Sequence, residues 1–268
     1  MTEVIMKPIN LSTLSKMKQA GEKFTCLTAY DFTFAHLLDE CGVEVLLVGD
    51  SLGMVIQGQS TTLPVSVDDM VYHTRAVRRG SRNALIITDM PFLSHTSPAE
   101  ALDNAGRLMR EGAHVVKLEG GAYLAETIQE LSKFGIPVCA HLGLQPQSVH
   151  KLGGYKVQGR TDDGAEKMLE DAKLLQEAGA DLMLLECVPA ELAAKITQIL
   201  HIPVIGIGAG AHCDGQVLVL HDVLGITADI KPRFVKNFMQ GQDSIQAAIQ
   251  AYVQAVKKGT YPGQEHSF

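Results

Sequence analysis

No stretch of the sequence approaches the roughly 20 consecutive apolar residues that a membrane-spanning helix requires, so no membrane partner is expected. The opening, MTEVIMKPIN, lacks the apolar core of a signal peptide, and the expectation is a cytoplasmic protein. Paired cysteines are missing too. Cys26, Cys41, Cys139, Cys187 and Cys213 are odd in number, widely spaced and mostly inside apolar runs, with no C-x-x-C among them. That excludes a zinc-ribbon or thioredoxin-like motif and predicts reduced core thiols. Basic charge is scarce: 23 Lys and Arg face 30 Asp and Glu, a formal charge of −7. A chain of that sign repels polyphosphate, so nucleic acid is not an expected partner. The densest basic stretch, Arg75, Arg78, Arg79 and Arg82, reads as the exposed end of a helix. The 25 glycines follow no period and 46% of residues are hydrophobic, which excludes collagen-like and disordered classes.

What is present is one pattern, repeated. Short runs rich in Val, Ile and Leu recur at 24–30, 43–51, 83–91, 114–121, 136–143, 181–188, 202–210 and 216–225. Their nearly unbroken apolar character suits parallel strands buried on both faces. Amphipathic segments separate them, such as 98–113, where Pro98 and Glu100 suit a first turn and Leu102, Ala105, Leu108 and Met109 share a face. Gly42, Gly112, Gly135 and Gly179 each stand where a helix would end before the next strand. Eight strands with helical crossovers predict a single (β/α)8 TIM barrel domain over residues 1–268, with a doubly wound open sheet as the rival. Residues 11–23 read as a helix before the first strand, covering the barrel's lower end, and the tail from 242 opens with a helix.

Barrel active sites lie at the C-terminal ends of the strands, and four of those ends here are acidic: Asp50, Asp89, Glu119 and Glu186. Carboxylates crowded near a desolvated centre are costly unless paired, and a divalent cation, magnesium or manganese, would resolve that cost. Each acid could instead cap the helix that follows, although Glu is an unusual cap. Lys117 and Glu119 lie two apart on one strand and so face the same side. Lys117 could bind a substrate carboxylate, form a Schiff base, or make a structural ion pair with Glu119. His141 ends the fifth run, where it could bind substrate, relay a proton or be a satisfied structural residue. His212 and His221 lie near Cys213, Asp214 and Asp222, but at no spacing that suits zinc. Residues 206–211, GIGAGA, formally fit a dinucleotide fingerprint, yet follow the seventh strand rather than the first. Glycines there suit a close backbone approach to a ligand. The glycine-rich 153–159 segment after the fifth run is long enough to be a lid over the site or a plain surface loop.

LVGDSLGM (47–54), TLPVSVDDMVYHT (62–74), KLEGG on the fourth run, HLGLQPQS (141–148), GGYKVQG (153–159), LLECVP (184–189), and GIGAG followed by DGQVLVLHDVLG (214–225) closely resemble the ketopantoate hydroxymethyltransferase family. The similarity runs in order from about Met6 to the YPGQEHSF tail, and His201–Ile202 and Ala228–Lys231 look like variable positions. The resemblance implies a barrel of the phosphoenolpyruvate/pyruvate type. It implies transfer of the one-carbon unit of 5,10-methylenetetrahydrofolate to 3-methyl-2-oxobutanoate, giving 2-dehydropantoate on the way to pantothenate and coenzyme A. It places magnesium ligands on Asp50, Asp89 and Glu119, substrate contacts on Asp50, Ser51, Asp89 and Lys117, and the proton acceptor on Glu186. It also implies a homodecamer of two stacked pentamer rings. On charge grounds the 2-oxo acid would chelate magnesium, and the metal and Lys117 would stabilise the enolate formed when the C3 proton leaves. A related metal-dependent carbon–carbon lyase, a lysine-dependent aldolase and a non-catalytic metabolite-binding barrel are the rival readings.

Overall fold

The computed structural model describes residues 8–227 and 231–268; the opening MTEVIMK and all of the Ala228–Lys231 stretch except Lys231 lie outside it. Eight parallel strands close into a barrel in chain order: β1 (Phe24–Thr28), β2 (Val45–Val48), β3 (Leu85–Asp89), β4 (Val115–Glu119), β5 (Val138–Gly143), β6 (Leu182–Glu186), β7 (Val204–Ile207) and β8 (Gly215–Leu218). Seven of the eight apolar runs contain their strand as expected. The eighth is divided: only its first part extends the sheet, and Leu220–Val223 turns into a helix. A continuous apolar run fits a buried strand and a buried helix equally well, so periodicity could not place that division.

The helices are α1 (Leu11–Ala20), α2 (Phe32–Glu40), α3 (Leu52–Val55), α4 (Val67–Gly80), α5 (Pro98–Arg110), α6 (Ala125–Lys133), α7 (Val149–Leu152), α8 (Asp162–Glu177), α9 (Ala190–Ile199), α10 (Leu220–Val223) and α11 (Ile245–Lys257). Side-chain oxygens of Asp31, Ser66, Ser97, Thr161 and Ser244 accept first-turn backbone N–H groups of α2, α4, α5, α8 and α11. The four helix-end glycines all adopt the left-handed conformation. Helix α1 buries Leu14, and its Lys18 ammonium donates to the Thr197 carbonyl (2.8 Å) and to Asp214 Oδ2 (2.7 Å). Asp214 immediately precedes β8, so this helix sits at the strands' starting ends, where the sequence placed it. All five cysteines are buried and unpaired. No helix among the described residues is long and apolar enough to cross a membrane.

At the lower rim, side chains reach sideways to the opening amides of the odd strands. Glu44 Oε2 accepts from Thr25 N (2.9 Å), His114 Nδ1 from Ile86 N (3.0 Å), Asp181 Oδ2 from Val138 N (3.0 Å) and Asp214 Oδ2 from Val204 N (2.9 Å). Each acceptor lies just before the next even strand. Buried Asp39 does similar work, taking hydrogen bonds from Ala84 N, Asn83 N, Asn83 Nδ2 and Ser81 Oγ. Burial pushes its carboxyl up, but these donors outweigh burial and hold it below the ordinary range. Asp39→Ala should cost about 3 kcal/mol, because four donors lose their acceptor. In chemical denaturation the wild-type advantage should be full above the ordinary carboxylate range and vanish as pH falls through the lowered native value.

Candidate active site

Strand register gathers the chemistry. Asp89 stands beside Lys117, Glu119 beside His141, and Gly143 beside Glu186 in neighbouring strands. Gly143 has φ +96°, and a Cβ there would fall 2.2 Å from the Glu186 carbonyl oxygen, so only glycine lets β5 end against β6 in this way. Asp50 follows β2, and its backbone N–H donates to Asp89 Oδ2 at 3.0 Å. The Lys117 ammonium lies 3.2 Å from Asp89 Oδ1, 3.3 Å from Glu119 Oε1 and 3.1 Å from His141 Nδ1. Across the histidine ring, Nε2 is 3.5 Å from Glu186 Oε2. Asp50, Asp89, Lys117, Glu119 and His141 are all buried, while the Glu186 side chain keeps 16% of its exposure. All the strand-end acids expected from the sequence, together with Lys117 and His141, therefore meet at one end of the barrel. Ser51 stands beside them, its Oγ 2.9 Å from the Tyr30 hydroxyl.

Four carboxylates share a single ammonium, and their proton affinities divide accordingly. Burial, then repulsion from Asp89 and Glu119, pushes Asp50 well above the carboxylate range. Asp89 is also raised, chiefly by burial, against the pull of Lys117. Glu119 is buried as well, but the Lys117 charge and the Gln147 backbone N–H outweigh that and bring it down to about 2. Glu186, farther from the lysine, is pushed up to about 8 by burial and then by the charge on Glu119. Burial alone would lower Lys117, yet Asp89, Glu119 and Asp50 hold it firmly protonated. Burial and the neighbouring ammonium keep His141 neutral. With Lys117 donating to Nδ1, the proton of the neutral ring belongs on Nε2, facing Glu186.

The donor set fits a hard divalent cation in kind: three buried carboxylates, with Asp89 Oδ1 making no hydrogen bond. As they stand, the side chains are turned toward other partners. Gln147 Nε2 donates to Asp50 Oδ2 (2.9 Å) and Gln147 N donates to Glu119 Oε2 (3.1 Å). Among the described residues, no group of three or more His, Cys, Asp or Glu is already arranged to hold a metal ion. Binding a cation would exchange the Gln147 contacts for metal contacts.

The ketopantoate hydroxymethyltransferase family model matches residues 8–264. The chain belongs to the ketopantoate hydroxymethyltransferase family. It is 60% identical over 260 residues to 3-methyl-2-oxobutanoate hydroxymethyltransferase 2 of Hahella chejuensis, covering 97% of this chain and 98% of that protein. It is 61% identical over 264 residues to 3-methyl-2-oxobutanoate hydroxymethyltransferase of Nitrosococcus oceani, covering 98% of this chain and 100% of that protein. Among solved structures, phosphonopyruvate hydrolase in complex with oxalate and Mg++ matches with a TM-score of 0.63 at 11% identity, covering 94% of this chain and 98% of that one. The phosphoenolpyruvate phosphomutase of Streptomyces platensis subsp. rosaceus matches with a TM-score of 0.61 at 12% identity, covering 81% and 83%. At those identities the likeness concerns the barrel alone.

Two polar residues joined to this cluster carried no charge to announce them in the sequence: Gln147 and Tyr30. Gln147 lies in the HLGLQPQS motif, and a polar amide four residues past the end of β5 was the available signal. The GIGAGA segment turns out differently from the ligand-approach expectation. A Cβ on Gly208 would meet Phe234 and Phe268, and one on Gly210 would meet Ala190, so protein side chains occupy the space that the glycines open. His221 packs its ring against Tyr30 at 5.8 Å between centroids and joins no metal cluster among the described residues.

Proposed function

We propose that this site removes the C3 proton of 3-methyl-2-oxobutanoate and adds to that carbon the one-carbon unit of 5,10-methylenetetrahydrofolate, giving 2-dehydropantoate in pantothenate biosynthesis. The observation that carries the reading is the division of the carboxylates. Asp50, Asp89 and Glu119 cluster around Lys117, while Glu186 stands apart with a proton affinity near neutrality. Asp50, Asp89 and Glu119 would hold a magnesium ion, which when bound supplies positive charge beside the carboxylate and keto oxygens of the substrate. Ser51, Asp89 and Lys117 orient that substrate, with His141 beside it. Glu186 takes the C3 proton, and the electron pair moves into the C2–C3 bond and onto the keto oxygen, whose negative charge the Lys117 ammonium faces. His141 Nε2 faces the Glu186 carboxylate at 3.5 Å. Water breaks both methylene C–N bonds of the donor, each nitrogen keeping a proton, and the formaldehyde released is attacked at carbon by C3; its oxygen, which came from water, takes the proton held by Glu186 and becomes the hydroxyl. We read residues 1–268 as one catalytic barrel domain acting in the cytoplasm as a homodecamer.

The test uses the half-reaction. Without any folate, the enzyme with magnesium should exchange the C3 proton of 3-methyl-2-oxobutanoate for deuterium, followed by NMR in deuterated water. Exchange at the solution background, with substrate shown to be bound, would sink the enolisation reading. Lys117 acts through charge, so borohydride added with substrate should leave no mass adduct on it. Lys117→Ala should raise KM and also lower kcat, because both substrate and enolate lose a counter-charge. A reduced adduct on Lys117 would move the enzyme into the Schiff-base class.

A further inference from the structure

The loop from β5 to α8 differs in charge from the rest of the protein. Residues 144–161 contain His150, Lys151, Lys156 and Arg160 and no Asp or Glu, in a chain of net charge −7. Its middle carries Tyr155, which is 52% exposed although it stands at the mouth of the barrel beside Met54 (40%). The Tyr155 hydroxyl lies 3.9 Å from Met54 Sδ, so the ring leans toward the β2 side. It also feels the β6 side: burial raises its hydroxyl first, and the charges of Glu186 and Asp50 raise it further. Both ends of the loop are tied to the region of the base. Leu144 N donates to the Glu186 carbonyl (2.8 Å) and Gln158 N donates to the Cys187 carbonyl (3.0 Å). Whatever rests on this loop is held in fixed relation to Glu186.

We propose that this loop is the seat of the one-carbon donor: the pterin ring stacks on Tyr155 beside Met54, and Lys151, Lys156 and Arg160 receive the carboxylates of its glutamate tail. The inference rests on the folate-dependent reading above. A planar heteroaromatic ring suits a half-exposed tyrosine flanked by a thioether, since both offer polarisable faces. An anionic tail suits the three exposed cations, which have no acid on their own loop to neutralise them. The reacting carbon belongs next to Glu186, and the donor's methylene must come to that carbon. A second recess, lined by Phe92, Leu93, His95, Tyr123 and, from the start of the same loop, Gln147 and Ser148, borders Glu119 instead and encloses about 150 Å³. That is below the ~300 Å³ typical of sites for ligands of this size.

Steady-state kinetics, tetrahydrofolate binding by fluorescence and donor-free C3 exchange, measured on the same variants, decide the matter. Tyr155→Ala should raise KM for 5,10-methylenetetrahydrofolate and weaken tetrahydrofolate binding by about 10-fold or more, as loss of a stacked ring does. Tyr155→Phe should restore both, while exchange without donor keeps its rate in each. Unchanged donor KM in Tyr155→Ala would overturn the proposal. So would an equal loss of donor-free exchange, or a donor defect in Tyr123→Ala with none in Tyr155→Ala. Wild-type protein should also bind the triglutamate form of tetrahydrofolate more tightly than the monoglutamate at low salt. A K151Q/K156Q/R160Q variant should lose that preference, and its persistence would remove the tail contacts from the proposal. Failure of wild-type exchange would instead sink the enolisation reading and leave the donor comparisons intact.

Discussion

Glu186→Gln should slow donor-free exchange of the C3 proton by ~10²-fold or more, the usual worth of a positioned base. The variant keeps Asp50, Asp89, Glu119 and Lys117, so magnesium and the 2-oxo acid should still bind, as calorimetry would show. Wild-type exchange should also depend on pH with a definite sign. The base works only when deprotonated, and burial together with Glu119 holds its carboxyl near 8. On that value alone the rate would climb with pH and level off above about 8. The magnesium on which exchange depends should bring that limb below 8, because a cation offsets the repulsion from Glu119 and Asp89. Exchange that survives in Glu186→Gln while overall transfer is lost would assign Glu186 to a folate nitrogen instead of the C3 proton.

Asp89→Asn should abolish transfer in the same measure as exhaustive chelation and should weaken binding of 3-methyl-2-oxobutanoate. The substitution keeps the shape and hydrogen-bonding reach of the side chain but removes one of the charges that hold the cation. It also strips Lys117 of a partner at 3.2 Å. The loss should appear in substrate affinity measured directly, because the 2-oxo acid loses both of the positive groups that Asp89 organises. Full turnover after chelation, with metal confirmed absent, would remove the cation from the account.

The acids were legible in the sequence because a desolvated strand end is the wrong place for an unpaired carboxylate, and Asp50, Asp89, Glu119 and Glu186 all stood at such ends. The parallel strands were legible for the same reason in reverse: their apolar runs have no wet face. The spacing of Lys117 and Glu119 settled that they share a face, but not which acid Lys117 would serve; the register with Asp89 supplies that. Gln147 escaped notice because an uncharged amide costs little to leave in a loop, and only its position between Asp50 and Glu119 reveals its part. The glycines at 206–210 misled because a close approach by a ligand and one by Phe234 or Phe268 demand the same backbone. Which of the two fills the space is a long-range matter, set by a chain end some 60 residues away.

The side-chain contacts along the lower rim divide the barrel more finely than its strand count suggests. Glu44 joins β1 to β2, His114 joins β3 to β4, Asp181 joins β5 to β6, and Asp214 joins β7 to β8. In two of these joints the link is returned by the backbone, with His114 N donating to Ile86 O and Asp181 N to Val138 O. The ring is thus assembled from four two-strand modules, each clasped at its base. Its seams fall after β2, β4, β6 and β8. A half-barrel ending after β4 and its complement beginning before β5 each keep every clasp whole, whereas division one strand later opens the one that Asp181 makes. The acids of the upper rim cross those seams freely: Asp50 with Asp89, and Glu119 with His141. The chemistry is therefore shared between modules, which the lower rim also ties at one seam, where Asp39 of α2 holds Asn83 and Ala84 ahead of β3.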